Sequence, residues 1–185
     1  MKRPNQKGAS FERKIAKELS LWWTDGERDD VFWRTSQSGG RATQRNKSGK
    51  ATAGSYGDIM AVDPIGQPLL DVFTFELKRG YNRATVQDLL DSKTGGEFMK
   101  FIEQVVKDMD LAGSNGAAII HQRDQRAAMI TILNRHYANK FSESFVAGLG
   151  SLTFFVEVGD VLLNGAMMRL DVFLEHAKPW REEAE

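Results

Sequence analysis

Residues 57–78 read GDIMAVDPIGQPLLDVFTFELK, and the rest of the chain is arranged around them. Two strand-like runs, Asp58–Val62 and Leu70–Lys78, flank a turn rich in Pro and Gly. Positions two apart on a strand share a face, so Leu70, Val72, Thr74, Glu76 and Lys78 point one way. Phe73, Phe75 and Leu77 point the other way, into a core. Glu76 and Lys78 then stand side by side at the end of a buried strand. Ionisable groups there are costly unless they are paired or hold a metal. Asp58 opens the first run, and a hairpin pairing of the two runs brings its carboxylate toward that of Glu76. Two carboxylates suit a hard divalent cation such as Mg2+, which prefers oxygen ligands and keeps several waters. Lys78, one pleat further on, is placed to orient or deprotonate a metal-bound water. These are parts for attacking a phosphodiester.

The set Asp58, Glu76-Leu-Lys78 resembles the PD-(D/E)XK nuclease superfamily. One departure is visible: Gly57, not proline, precedes Asp58. The resemblance implies a restriction-endonuclease-like core of α/β class, a central mixed β-sheet flanked by helices. The C-terminus adds an extra β-hairpin and short helix to that core. It also implies that Asp58 and Glu76 bind Mg2+, with Mn2+ able to substitute, and that the Leu77 backbone carbonyl joins them. An acid followed by E-x-K recurs by chance, and a solvated strand end with an ion pair is the plain alternative, so the flanking context matters.

Upstream, Ser10 is a candidate cap for a helix from Phe11 to about Trp23. At about 100° per residue, Phe11, Ile15, Ala16, Leu19, Trp22 and Trp23 fall on one arc of about 140°. Glu12 falls inside that apolar arc. Either it stabilises the helix N-terminus, where the dipole favours negative charge, or it reaches the metal site. The superfamily's archaeal Holliday-junction resolvases carry a glutamate on the first helix beside the metal ligands, and the resemblance therefore adds Glu12 to the catalytic set as a further metal ligand or a water-positioning group. Val31–Thr35 reads as the first strand. The segment Arg34-Thr-Ser36-Gln-Ser38-Gly39 is similar to the Arg-Ser and Gly-rich stretch before the catalytic Asp in that branch. It reads as a phosphate-contacting loop or as a flexible strand exit.

Net charge is zero, but residues 1–50 carry twelve Lys or Arg against six Asp or Glu, and no acid occurs from Val31 through Gly57. Arg34, Arg41, Arg45, Lys47 and Lys50 make that stretch basic, suited to a polyanion approached from one side, or simply to a solvated loop. Arg41–Tyr56 has no aliphatic residue larger than Ala and reads as a loop that tightens on nucleic acid. After the Glu76–Lys78 strand, Arg79–Arg83 is a basic turn, with Arg79 joining the DNA contacts. A short helix follows over Thr85–Asp91, with Thr85 as its cap and Gln87 as a residue supporting the site. Phe98, Phe101, Ile102, Val105, Val106 and Met109 form a helical core stripe ended by Gly113.

Ala117–His121 and Ala127–Leu133 read as a hairpin that extends the sheet. Tyr137–Leu149 is a short helix or irregular. Leu152–Val158 and Val161–Leu163 form a further hairpin, followed by Met167–Leu170 and a helix over Leu170–His176. The 185 residues read as a single domain, with a catalytic core over about 8–133 and an extension over about 134–185. With no cysteine there is no disulfide framework or thiolate metal site. His121, His136 and His176 lack ligand spacing and read as surface or half-buried structural residues. The polar N-terminus lacks the apolar stretch of a secretion signal, which points to a cytoplasmic protein, and no run suits a membrane span. Phosphate-binding Walker, nucleophile-elbow and dinucleotide sequences are absent, so no nucleotide cofactor is expected.

The order helix-Glu12, strand-Arg34, Gly57-Asp58, Glu76-x-Lys78 implies a Mg2+-dependent DNA endonuclease like the junction resolvases, acting as a homodimer because two strands must be cut. A restriction-type or repair endonuclease of the same fold is the alternative. A catalytically silent DNA-binding module and a structural interaction protein are the others.

Overall fold

The computed structural model describes residues 4–35, 56–91, 95–135 and 152–179. Helix α1 runs Pro4–Trp23, with proline at its first position, where a missing N–H costs nothing. It begins earlier than the Ser10 cap predicts, and Ser10 is an exposed residue inside the helix. Its apolar arc, Phe11, Ile15, Ala16, Leu19, Trp22 and Trp23, is buried. Buried Ser20 ties this helix to the next element: its Oγ donates to the Ala16 carbonyl (2.8 Å) and accepts from the Phe32 N–H (2.9 Å).

Strand β1 (Phe32–Arg34) pairs antiparallel with β2 (Ile59–Ala61) as a separate two-stranded ribbon. Asp63 then caps a 3-10 turn over Pro64–Gly66, its carboxylate accepting from the Ile65 N–H at 3.0 Å. Helix α2 follows over Gln67–Val72. The predicted strand start at Leu70 is therefore wrong. Pro64 and Pro68 sit at the opening positions of these two turns, where proline favours helix, and the strand begins only at Phe73.

Strand β3 (Phe73–Arg79) is the edge of a five-stranded sheet ordered β3-β4-β5-β7-β6. Beyond it lie α3 (Gln87–Leu90) and α4 (Glu97–Ala112), then β4 (Gly116–Gln122) and β5 (Met129–Arg135). Val86, not Thr85, occupies the N-cap position of α3, with no side-chain cap bond. Helix α4 ends at Gly113, which adopts φ 70°, the left-handed conformation that glycine takes at little cost. It is the crossover that lets β3 and β4 run parallel; β4 and β5 then pair antiparallel. Strands β6 (Leu152–Val158) and β7 (Val161–Arg169) form the C-terminal hairpin, and α5 (Leu170–His176) follows. Strand β7 is continuous where two pieces are predicted: Gly165 leaves room for the Phe154 ring across the ladder, where a Cβ would lie 2.3 Å from the ring. Residues 137–149, read as helix or irregular, lie outside the described residues.

The sheet has a core on each face. Phe73, Phe75, Leu77, Ala118, Ile120, Ile130 and Ile132 pack with α1, β1 and α5. Ala117, Ile119, Leu133, Leu163 and Met167 pack under the α4 stripe. The period-two alternation of β3 thus holds from Phe73 onward, sending Phe73, Phe75 and Leu77 to α1 and leaving Glu76 and Lys78 on the α4 side. This is the expected central mixed sheet flanked by helices. Among the described residues no helix is long and apolar enough to cross a membrane.

Candidate active site

Asp58 reaches β3 by docking on its free edge, not by the hairpin ladder predicted for it. It sits in the bend before β2, whose strand partner is β1. The Asp58 N–H donates to the Phe75 carbonyl (2.7 Å), and the Leu77 N–H donates to Asp58 Oδ2 (2.8 Å). The carboxylate is thereby pinned to the peptide between Glu76 and Lys78. The end of β1 closes the loop from behind: the Thr35 N–H donates to the Asp58 carbonyl (2.9 Å) and Thr35 Oγ1 to the Gly57 carbonyl (3.0 Å). Gly57 has φ 78°, and a Cβ there would stand 2.6 Å from the Phe75 carbonyl oxygen. Only glycine permits that approach.

Glu76 is 3% exposed. Its Oε1 pairs with the Lys78 ammonium, which also donates to Gln104 Oε1 at 3.0 Å and lies 5.3 Å from the Phe101 ring centroid. Three groups therefore hold one ammonium beside two carboxylates. Burial pushes the Asp58 carboxyl up to about 7, with the charge of Glu76 adding to it and the Leu77 N–H opposing it. Burial likewise raises Glu76, against the pull of Lys78, and the charges of Asp108 and Glu12 raise it further. Asp108, one turn beyond Gln104 on α4, is also raised by burial. Negative charge thus accumulates around a single lysine.

Glu12 approaches from α1 and pairs with Arg34 Nε at 2.9 Å. It lies more than two turns from the start of the helix, beyond the reach of the N-terminal dipole, so that reading of Glu12 fails. Its charge is felt by both Asp58 and Glu76. Among the described residues no three acidic or imidazole groups close into a cluster that could hold a metal ion. A cation would rest on Asp58 and Glu76. All their donors are hard oxygens, and their mutual repulsion is what a divalent ion offsets, so the pair fits Mg2+, which needs few protein ligands.

The other predicted residues divide. The Arg79 guanidinium lies 5.7 Å from the Phe11 ring centroid, on the α1 side of the sheet, away from Lys78. Gln87 is exposed and donates to Asp91 Oδ1 at 2.8 Å. The amide that touches Lys78 belongs instead to Gln104. His121, expected at the surface or half-buried, is buried at 6% exposure and sits beside Lys78 in the β3–β4 register. Its environment holds it below the usual imidazole range, through burial first and the charge of Arg123 second. His176 is exposed near Glu175. Ser36, Ser38, Arg41, Arg45, Lys47 and Lys50, the rest of the basic loop and His136 lie outside the described residues. Gln104 and Asp108 escape sequence reading because their four-residue spacing flanks the apolar stripe of α4 and looks like its solvated side; only the packing of α4 over β3 brings them near Lys78.

A family model described as "Phage putative PDDEXK endonuclease" matches residues 3–161 of the chain. No curated protein matches it, and no solved structure does.

Proposed function

The chain belongs to this PDDEXK family of phage endonucleases, and from that premise we propose that it is a Mg2+-dependent endodeoxyribonuclease hydrolysing phosphodiester bonds in branched DNA. The observation that carries the reading is the Asp58 carboxylate fixed at 2.8 Å on the Leu77 N–H, between Glu76 and Lys78. Asp58 and Glu76 would hold the cation, with the Leu77 carbonyl as a further oxygen donor, Glu12 positioning water beside it and Mn2+ as an acceptable substitute. A cation held there supplies Lewis-acid polarisation of the phosphoryl oxygens and offsets charge in the transition state. Lys78 Nζ, steadied by Glu76 and Gln104, orients the attacking water and lowers the cost of removing its proton. Arg34 positions Glu12. Arg34, Ser36, Ser38, Arg41, Arg45, Lys47, Lys50 and Arg79 contact phosphates, Gln87 lends outer support, and a homodimer presents two sites to two strands.

Support for branched DNA comes from the order Glu12, Arg34, Gly57-Asp58, Glu76-x-Lys78, which is similar to that of the junction resolvases. The test incubates purified protein and Mg2+ with supercoiled duplex, linear duplex, a fork and a four-way junction. Cutting is expected on the branched substrates and is lost in Glu76→Ala and Lys78→Ala. Unchanged cutting in either variant overturns the assignment, and equal cutting of plain duplex overturns the branched preference.

A further inference from the structure

At the C-terminal end of β3 and β4 two turns lie side by side. Parallel pairing places Arg79 opposite Gln122, so the turns that leave these strands start together. The Gly80 N–H donates to the Gln122 carbonyl (2.9 Å), and Asn82 Nδ2 donates to Asp124 Oδ2 (2.5 Å). The second turn is closed on itself by Arg126 N–H to the Arg123 carbonyl (2.9 Å) and Gln122 Nε2 to the Arg126 carbonyl (2.8 Å). Three arginines, 83, 123 and 126, are thus gathered on a fixed frame at one end of the sheet. Arg28, Arg34, Arg135 and Arg169 each pair with a carboxylate, whereas Arg83, Arg123 and Arg126 form no ion pair among the described residues. Unbalanced cations held together repel one another, and a polyanion relieves that repulsion.

Among them stands Tyr81, 48% exposed. Its ring meets Phe101 edge-on at 5.1 Å between centroids, and the same Phe101 ring carries the Lys78 ammonium at 5.3 Å. One buried ring therefore separates the exposed tyrosine from the lysine of the site. An aromatic set among arginines stacks on bases, and only an unpaired base offers its face, since a duplex hides that face inside the stack.

We propose that Arg83, Arg123 and Arg126 with Tyr81 form a rim that binds a single-stranded stretch of DNA beside the scissile phosphate. Its placement beside a cut rests on the nuclease reading; the binding itself does not. The substrate then carries unpaired nucleotides next to the cleaved bond, as a flap or fork does.

The test measures fluorescence anisotropy of the full chain in EDTA with a labelled short oligothymidine and with a duplex of equal length. Tyr81→Ala is expected to weaken oligothymidine binding about tenfold and duplex binding less than about twofold, while Tyr81→Phe retains both. Arg123→Gln with Arg126→Gln is expected to weaken strand binding and to reduce its slope of log affinity against log salt by about 1.4. Equal effects of Tyr81→Ala on the two DNAs, no effect on either, or an unchanged salt slope overturns the rim. The arginine pair decides the matter if Tyr81→Ala fails to fold. Cutting assays on the same wild-type preparation separate the two claims. No cutting with tyrosine-dependent strand binding sinks the nuclease and keeps the rim, whereas cutting with variant-insensitive binding sinks the rim alone.

Discussion

The short strand β2 has an aspartate beyond each end, and the two live under opposite conditions. Asp63, past its C-terminal end, accepts from the Ile65 N–H at 3.0 Å and from Arg28 Nη1 at 2.7 Å. That N–H, and then Arg28, hold its carboxyl below the usual range. Asp58, before the N-terminal end, also accepts a backbone N–H, from Leu77. Yet burial and the charge of Glu76 push it up to about 7. One hydrogen bond does not decide the state of a carboxylate; the sum of its surroundings does. Around Asp63 a cation answers the acid, and the pair braces a turn. Around Asp58 the acids outnumber the cations in a place screened from water, an arrangement that costs stability and suits a ligand still to arrive.

The sharpest way to break this contrast is activity. Asp58→Asn, Glu76→Ala and Lys78→Ala are each expected to slow DNA cutting by at least about a thousandfold, while Asp63→Ala stays within about twofold of wild type in the same gel assay, since it touches no reacting group. A thousandfold loss in Asp63→Ala would erase the distinction between the two ends.

The next effect is on stability against pH. Folded Asp58 keeps a proton that the unfolded chain has already lost above about pH 4. Its contribution is therefore complete below the ordinary carboxylate range and is lost as pH rises through about 7. Urea unfolding in EDTA is expected to show the wild type losing on the order of 2 kcal/mol between about pH 5 and about pH 8, and Asp58→Asn flattening that decline. Asp63 has the opposite sign: its contribution is present above the ordinary carboxylate range and lost as pH falls through its depressed value. Asp63→Ala is expected to lower the urea midpoint at neutral pH and to leave the decline toward alkaline pH intact.

The smallest effect concerns the brace on Lys78. Gln104→Leu is expected to reduce the cutting rate about fivefold, the worth of one hydrogen bond. Gln67→Leu, whose exposed amide donates to Asp71 on α2, should leave single-turnover rates unchanged.

What could be read from residues alone follows from how local each signal is. The α4 stripe, the alternation of Phe73, Phe75 and Leu77 against Glu76 and Lys78, and the Leu170–His176 helix are periodic patterns fixed by neighbours in the chain, and they stand as read. Residues 70–72 read as strand but are helix, because Leu70 and Val72 suit both alike, and the prolines that decide between them act through the first turn of a helix. Helix α1 starts earlier than Ser10 because a serine can cap or merely ride on a helix, and its side chain alone does not tell which. Asp58, Glu76 and Lys78 could be named from spacing. The edge docking of Asp58, the Glu12–Arg34 pair and the turn of Gln104 toward Lys78 depend on how distant segments pack, and spacing holds no record of that.

Gly57 has a consequence for grafting sequence between relatives. Proline stands before the aspartate in the PD-(D/E)XK motif as it is written, and a redesign guided by that motif would install it at position 57. Proline demands φ near −65°, whereas this backbone turns to 78° and presses against the Phe75 carbonyl. A proline there would swing Asp58 off the edge of β3, so the written motif is poor guidance at the position beside its best-marked residue.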